Sequence, residues 1–248
     1  MTSSTHPVTL VFVPGLMCDH ATFDPLRPYL QWQGPVAVAD HGDADSLPAM
    51  AQALLEQHPG PLLLFGHSMG GRVALEAQRQ QPQRCQALAL MGTGYAARAN
   101  GDAGTRETEH RQGLIHLAQT QGMAAMARQW LTGMLPAPRL HDHALTEAIE
   151  RMFSRQTVAR FQAQQQALLQ RPDASAVLRQ TQCPVLLLCG ELDAWAPPAQ
   201  HQAMQALAPH ATLEVLAGVG HMCIMEDPQA VAHALNPWLA NAVNYRAA

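Results

Sequence analysis

Phe65-Gly66-His67-Ser68-Met69-Gly70-Gly71 joins two stretches of different periodicity. Before it, Leu62-Leu63-Leu64-Phe65 follows Pro59-Gly60-Pro61, and a short apolar run after such a breaker predicts a buried strand. After it, Arg72-Val73-Ala74-Leu75-Glu76-Ala77 predicts a helix. Gly-x-Ser-x-Gly at a strand-to-helix junction is the sequence form of a nucleophile elbow. The serine must sit on a turn so tight that its hydroxyl projects from the end of the sheet. Glycine at 66 and 70 lacks a Cβ, so the helix can press against the strand. The amide of Met69 opens the helix, where unpaired N–H groups and the dipole favour negative charge. Ser68 is therefore a candidate covalent nucleophile.

Composition narrows the chemistry. The chain has 248 residues, the size of one α/β domain, and 48% of them are hydrophobic, enough for a substantial core. It contains no lysine; all 15 basic residues are arginine. That removes Schiff-base chemistry, a lysine-activated serine and any phosphate loop that needs its lysine. The net charge of −4 and the scattered arginines give no nucleic-acid surface. Cys18, Cys85, Cys183, Cys189 and Cys223 are odd in number and form no CxxC pair, which predicts reduced thiols and a cytoplasmic location. The first apolar run, Val8 to Val13, is too short for a signal or membrane segment, and Met1 to His6 reads as a short disordered start. The 13 histidines are dispersed without HxxxH or HExxH. His141-Asp142-His143 is the densest group and reads as a solvated loop, so no metal and no cofactor are expected.

Apolar runs alternate with helical stretches, which predicts a mostly parallel, doubly wound sheet covered on both faces. Strands are expected at Thr9–Val13, Val36–Ala39, Leu62–Phe65, Ala87–Met91, Val185–Cys189 and Leu213–Leu216. Helices are expected at Thr22–Leu30, Leu47–Gln57, Met69–Gln80, Pro198–Ala208 and Gln229–Ala242. From Thr93 to Thr181 the rhythm breaks. Four helical patterns follow one another there, at Arg106–Gln121, Met123–Leu131, Asp142–Arg151 and Gln156–Gln170, with no strand among them. The expected organisation is a core of residues 1–92 and 182–248 with a helical cap, 93–181, inserted above the strand ends where open α/β sheets bind ligands.

A serine needs a base to take its proton, and the base needs an orienting carboxylate. His221 lies in Gly218-Val219-Gly220-His221-Met222, just after the last expected strand, where the glycines let an imidazole reach Ser68. The carboxylate is Asp193 or Glu191, both in the loop after Val185–Cys189; spacing does not separate them. An acyl-transfer site also needs two donors for the oxyanion. Met69 N–H is one, and Leu16 N–H, in Val13-Pro14-Gly15-Leu16-Met17-Cys18, is the expected second. Met17, Met222, Trp130, Met126 and His20 are the expected substrate-contacting side chains, with Met123 and Met134 as further cap candidates. His67 should support the elbow or line the pocket. His201, His210 and His233 fall on expected surface helices or at their ends, and Arg72 is expected to point outward along its helix.

These motifs together resemble the α/β-hydrolase superfamily across nearly the whole chain. The resemblance rests on Val13-Pro14-Gly15-Leu16, Gly66-His67-Ser68-Met69-Gly70-Gly71, Gly190-Glu191-Leu192-Asp193 with Pro197, and Gly220-His221 with Glu226 and Pro228, in the family's order. It implies Ser68 as nucleophile, Asp193 as acid, His221 as base, and Leu16 and Met69 as oxyanion amides. The esterase and lactonase-like branch with Pro-Gly-Leu is the nearest in pattern. One departure is that the family's usual first two strands have no counterpart here. The implied activity is hydrolysis of a small or medium, largely apolar carboxylic ester, with that small molecule as partner and neither membrane nor nucleic acid; a monomer or homodimer fits equally. A carbon–carbon hydrolase or menaquinone-pathway-like lyase on the same three residues is the alternative reaction, and a ligand receptor of this fold the alternative of another class.

Overall fold

The computed structural model describes residues 7–244, so the expected start at residues 1–6 lies outside the described residues. The strands are β1 (Thr9–Val13), β2 (Val36–Val38), β3 (Leu62–His67), β4 (Cys85–Met91), β5 (Val185–Gly190) and β6 (Thr212–Leu216). They form one sheet in the order β2-β1-β3-β4-β5-β6. Every pairing is parallel, with registers such as Phe12 opposite Phe65 and Leu90 opposite Leu187. β3 and β5 are buried at every residue, which is why their sequences are continuous apolar runs and not alternations.

The two faces still follow the period of two. Val11, Val13, Leu62, Leu64, Leu88 and Leu90 pack against α1 (Leu47–Gln57) and α2 (Met69–Gln80). Leu10, Phe12, Leu63, Phe65, Ala87 and Ala89 pack against α10 (Pro228–Asn244) through Val231, Leu235 and Leu239. α1 and α2 span the residues expected of them. α1 is capped by the Ser46 hydroxyl and opens with proline in its first turn, an arrangement legible in the sequence.

Where a helix is expected over Thr22–Leu30, the chain makes two 3₁₀ turns, His20–Thr22 and Arg27–Tyr29. Pro25 and Pro28 have no N–H to donate, and a helix there would lose those bonds. Phe23 from this segment stacks on Phe12 with ring centroids 4.7 Å apart and meets Phe65 edge-on at 6.0 Å.

Between β4 and β5 run α3 (Gly101–Gln121), α4 (Met123–Met134), α5 (His143–Ser154), α6 (Val158–Leu169) and α7 (Ser175–Gln180). Asp142 and Thr157 cap α5 and α6 by accepting the N–H of Leu145 and Arg160. α7 is too short to show a helical period. α8 (Pro198–Leu207) lies between β5 and β6, and α9 (Cys223–Glu226) precedes α10. All five cysteines are buried and unpaired, and no helix among the described residues is long and apolar enough to cross a membrane.

Strand order places the site. β1 has β2 on one side and β3 on the other, so the chain leaves β1 and β3 in opposite directions and opens a crevice at their carboxyl ends. Gly15 and Leu16 follow β1 there, and Ser68 follows β3. Asp193 follows β5 and His221 follows β6 along the same edge.

Candidate active site

Ser68 is the residue between β3 and α2, with φ 55° and ψ −117°, a left-handed conformation that side-chain-bearing residues rarely adopt. The surroundings hold it there. Its N–H donates to Met91 O at 2.8 Å, and its carbonyl accepts from Thr93 Oγ1 at 2.6 Å. A Cβ on Gly70 would collide with the Val13 carbonyl oxygen, so the helix start can sit on the end of β1 only as glycine. In the same loop after β1, Gly15 approaches so closely that a Cβ would lie 3.1 Å from Ser68 Cβ.

His221 Nε2 is 2.9 Å from Ser68 Oγ, and His221 Nδ1 is 2.8 Å from Asp193 Oδ2. The other Asp193 oxygen accepts the N–H groups of Trp195 and Ala196, each at 2.9 Å. Burial would raise the Asp193 carboxyl; the His221 charge and hydrogen bond and the two amides outweigh it and hold it at about 2. Glu191, the competing acid, is exposed and accepts Gly218 N–H at 3.0 Å, away from the imidazole. The His221 loop is pinned at both ends by Glu226, whose two oxygens accept Gly220 N–H at 2.9 Å and Met222 N–H at 3.0 Å. His221 N–H donates to Met134 O at 3.0 Å, tying this loop to α4. Trp195 lies against the imidazole at 4.9 Å and against Trp130 at 5.4 Å.

His67 is buried with Nε2 2.9 Å from His221 O. Burial and the charge of His221 lower it to about 3, so it is neutral and carries its proton on Nε2 to donate. His67 thus braces the loop that carries His221, and it also lines the cavity.

The loop after β1 is fixed by contacts that sequence reasoning missed. His41 Nε2 bonds Pro14 O at 2.9 Å, and Met17 N–H donates to Gln164 Oε1 of α6 at 2.9 Å. Met17 itself has φ 61°. No acceptor among the described residues takes the N–H of Leu16 or of Met69, and both residues line the cavity beside Ser68. Gln164 sits on the buried stripe of α6 with Phe161 and Leu168, and a polar residue at an apolar position is the one signal that could have marked it.

That cavity has a volume of about 470 Å³. Trp130, Met222 and Met134 line it. Three of the expected contacts do not. Met17 is buried beneath its loop, and Met126 is fully buried in the core at 0% exposure. His20 is exposed, bonded to Asp24, and lines a separate cavity of about 340 Å³. Met123, too, lies outside the lining. Arg72 does not point outward: it lines the cavity, with Nη1 donating to Ala96 O at 2.9 Å. His201 is not on a surface face but fully buried, its Nε2 accepting Thr93 N–H at 3.4 Å. No group of three or more histidine, cysteine, aspartate or glutamate side chains among the described residues could hold a metal ion.

The fold and this edge define a class. The family model described as the alpha/beta hydrolase fold matches residues 25–228, and the chain belongs to that family. Over 97% of its length it is 28% identical to the biotin biosynthesis bifunctional protein BioHC of Cellvibrio japonicus, covering 49% of that protein. The chain thus spans about half the length of this relative. It is 28% identical to the pimeloyl-[acyl-carrier protein] methyl ester esterase of Nitrosomonas europaea over 75% of its own length and 74% of the other. In fold it is similar to a thermophilic esterase from Thermogutta terrifontis, with a TM-score of 0.80, 23% identity, and coverage of 96% of this chain and 91% of that one.

Proposed function

We propose that the chain is a serine hydrolase that cleaves a small or medium, largely apolar carboxylic ester through an acyl-enzyme on Ser68. The observation that carries this reading is the continuous path from Ser68 Oγ to His221 Nε2 and from His221 Nδ1 to Asp193 Oδ2, at 2.9 and 2.8 Å. The names of the relatives, methyl ester esterases among them, support the same class.

Ser68 Oγ attacks the ester carbonyl carbon while His221 Nε2 takes its proton. Asp193, ionised, stabilises the imidazolium and holds the ring in the tautomer with the proton on Nδ1. The carbonyl oxygen becomes an oxyanion and is received by the N–H groups of Leu16 and Met69. The carbon–oxygen bond to the alcohol then breaks, and His221 returns its proton to the leaving oxygen. Water attacks the acyl-enzyme with the same imidazole as base, the acid departs, and Ser68 regains its proton.

Residues 93–181 act as the cap in this reading. Their Trp130, Met134, Leu114 and Leu168 stand in the cavity wall and supply an apolar surface for the acyl chain. Trp130 and Met222 are contacts to the substrate.

The test is a panel of p-nitrophenyl esters of graded acyl length, with Ser68→Ala beside the wild type. The expected result is turnover by the wild type with kcat lowered by roughly 10⁴-fold or more in the variant. A fluorophosphonate should label the wild type and not the variant. Equal rates, or an unlabelled wild type, would remove Ser68 as nucleophile.

A further inference from the structure

The hydrolytic steps leave one property of the cavity unused, its charge. Arg72, Arg111 and Arg171 all line it, and Glu107 is the single carboxylate in the lining. Glu107 is already shared. Arg171 donates to its two oxygens at 2.6 and 2.8 Å, and Arg111 Nε donates to one of them at 2.9 Å. Arg72 forms no ion pair among the described residues. Its Nη1 and the Nε of Arg171 both donate to Ala96 O, at 2.9 and 3.3 Å, which brings the two guanidinium groups together around one carbonyl. Three cations against one carboxylate leave the wall with excess positive charge beside the apolar side chains of Leu114, Trp130 and Leu168.

Like charges so close together repel one another. Burial and the charge of Arg171 lower Arg72 to about 9, so it stays a cation at neutral pH in surroundings that disfavour one. The buried indole N–H of Trp130, in the same wall, also has no partner among the described residues. Arg72 lies four residues beyond Ser68, one helical turn along α2 and about 6 Å further along its axis. An anion there would belong to the same substrate molecule as the ester, set away from the reacting carbonyl. The planar fork of a guanidinium matches a carboxylate in two parallel hydrogen bonds.

Building on the hydrolase reading above, we propose that this cavity takes esters bearing a second, ionised carboxylate, the half-esters of dicarboxylic acids, with Arg72 as the carboxylate's partner and Arg111 and Arg171 supplying the surrounding charge. Arg72 is then a specificity residue, bound to substrate and remote from the bond that breaks.

The experiment compares monomethyl esters of dicarboxylic acids with methyl esters of monocarboxylic acids of matched length, followed by pH-stat. The wild type should favour the half-ester by about tenfold or more in kcat/KM, chiefly through KM. Raising the salt concentration should shrink that preference, a reading that needs no variant. Arg72→Gln should bring the ratio near one, and Arg72→Lys should restore part of it. Calorimetry on Ser68→Ala with the free dicarboxylate, with and without Arg72→Gln, reads the subsite without turnover and should detect binding that depends on Arg72. Turnover of neutral esters with no preference for the half-ester, or a preference that survives Arg72→Gln in a folded protein, would overturn the subsite and leave the hydrolase standing. Dicarboxylate binding through Arg72 with no ester turned over would do the reverse.

Discussion

The two nitrogens of His221 face opposite partners, and that division sets what a single substitution should do. Nδ1 donates to Asp193, leaving the Nε2 lone pair for the Ser68 hydroxyl. In Asp193→Asn the amide can present its NH₂ to the ring and select the wrong tautomer. The expected kcat is lower by about 10⁴-fold, with KM within a few-fold because Asp193 does not line the cavity. Steady-state kinetics on one ester measures both. A second readout follows from the carboxyl itself, which is held at about 2 against an ordinary 3.8. A carboxyl depressed on folding adds stability above its unfolded value, and that stability is lost as pH falls from about 4 to about 2. Asp193→Asn should remove that segment of the acid-unfolding curve, as followed by circular dichroism. At this scale the sequence showed Ser68 and His221 through their glycine-flanked loops. It did not separate Asp193 from Glu191 by spacing, because two acids two residues apart in one loop differ only in where the loop turns them.

Among elements, the telling contact is between α6 and the loop after β1. Gln164 takes the Met17 N–H, one residue past the Leu16 amide and at a backbone φ of 61°. His41 takes the other end of the loop at Pro14. Gln164→Leu would leave that N–H buried and unpaired, at a cost of about 1–3 kcal/mol in stability. If the loop presents Leu16 N–H to an oxyanion, kcat should fall by roughly 10- to 100-fold with little change in KM. Gln164→Glu keeps the acceptor and should recover most of the rate. Kinetics and thermal melting of the two variants together separate positioning of the loop from mere destabilisation. The helix carrying Gln164 was readable from its pattern. Its partner was not, since the bond spans 147 residues and no local rule relates α6 to the end of β1.

For the whole molecule, three aromatic rings tie the segment after β1 to the sheet. Phe12, Phe23 and Phe65 are fully buried, with Phe23 stacked on Phe12 and both rings edge-on to Phe65, so Phe23 fastens the segment after the Leu16 loop onto β1 and β3. Phe23→Ala should destabilise the protein by about 3–5 kcal/mol in denaturant-induced unfolding, with the slope of the transition unchanged. The four inner strands, β1, β3, β4 and β5, were legible because inner parallel strands must be apolar on both faces, and the edge strands β2 and β6 showed only as short apolar runs. The expected helix over Thr22–Leu30 fails for an equally local reason, its two prolines. The sheet, the elbow and the order of the site-bearing loops are thus written in the chain itself, since short-range periodicity and the steric freedom of glycine specify them without distant partners. Spacing left Asp193 and Glu191 open and only the resemblance favoured Asp193; which methionines reach the cavity and that Arg72 turns inward were decided by tertiary structure alone, because the direction of a side chain on a helix or loop depends on what the remote parts of the chain pack against it.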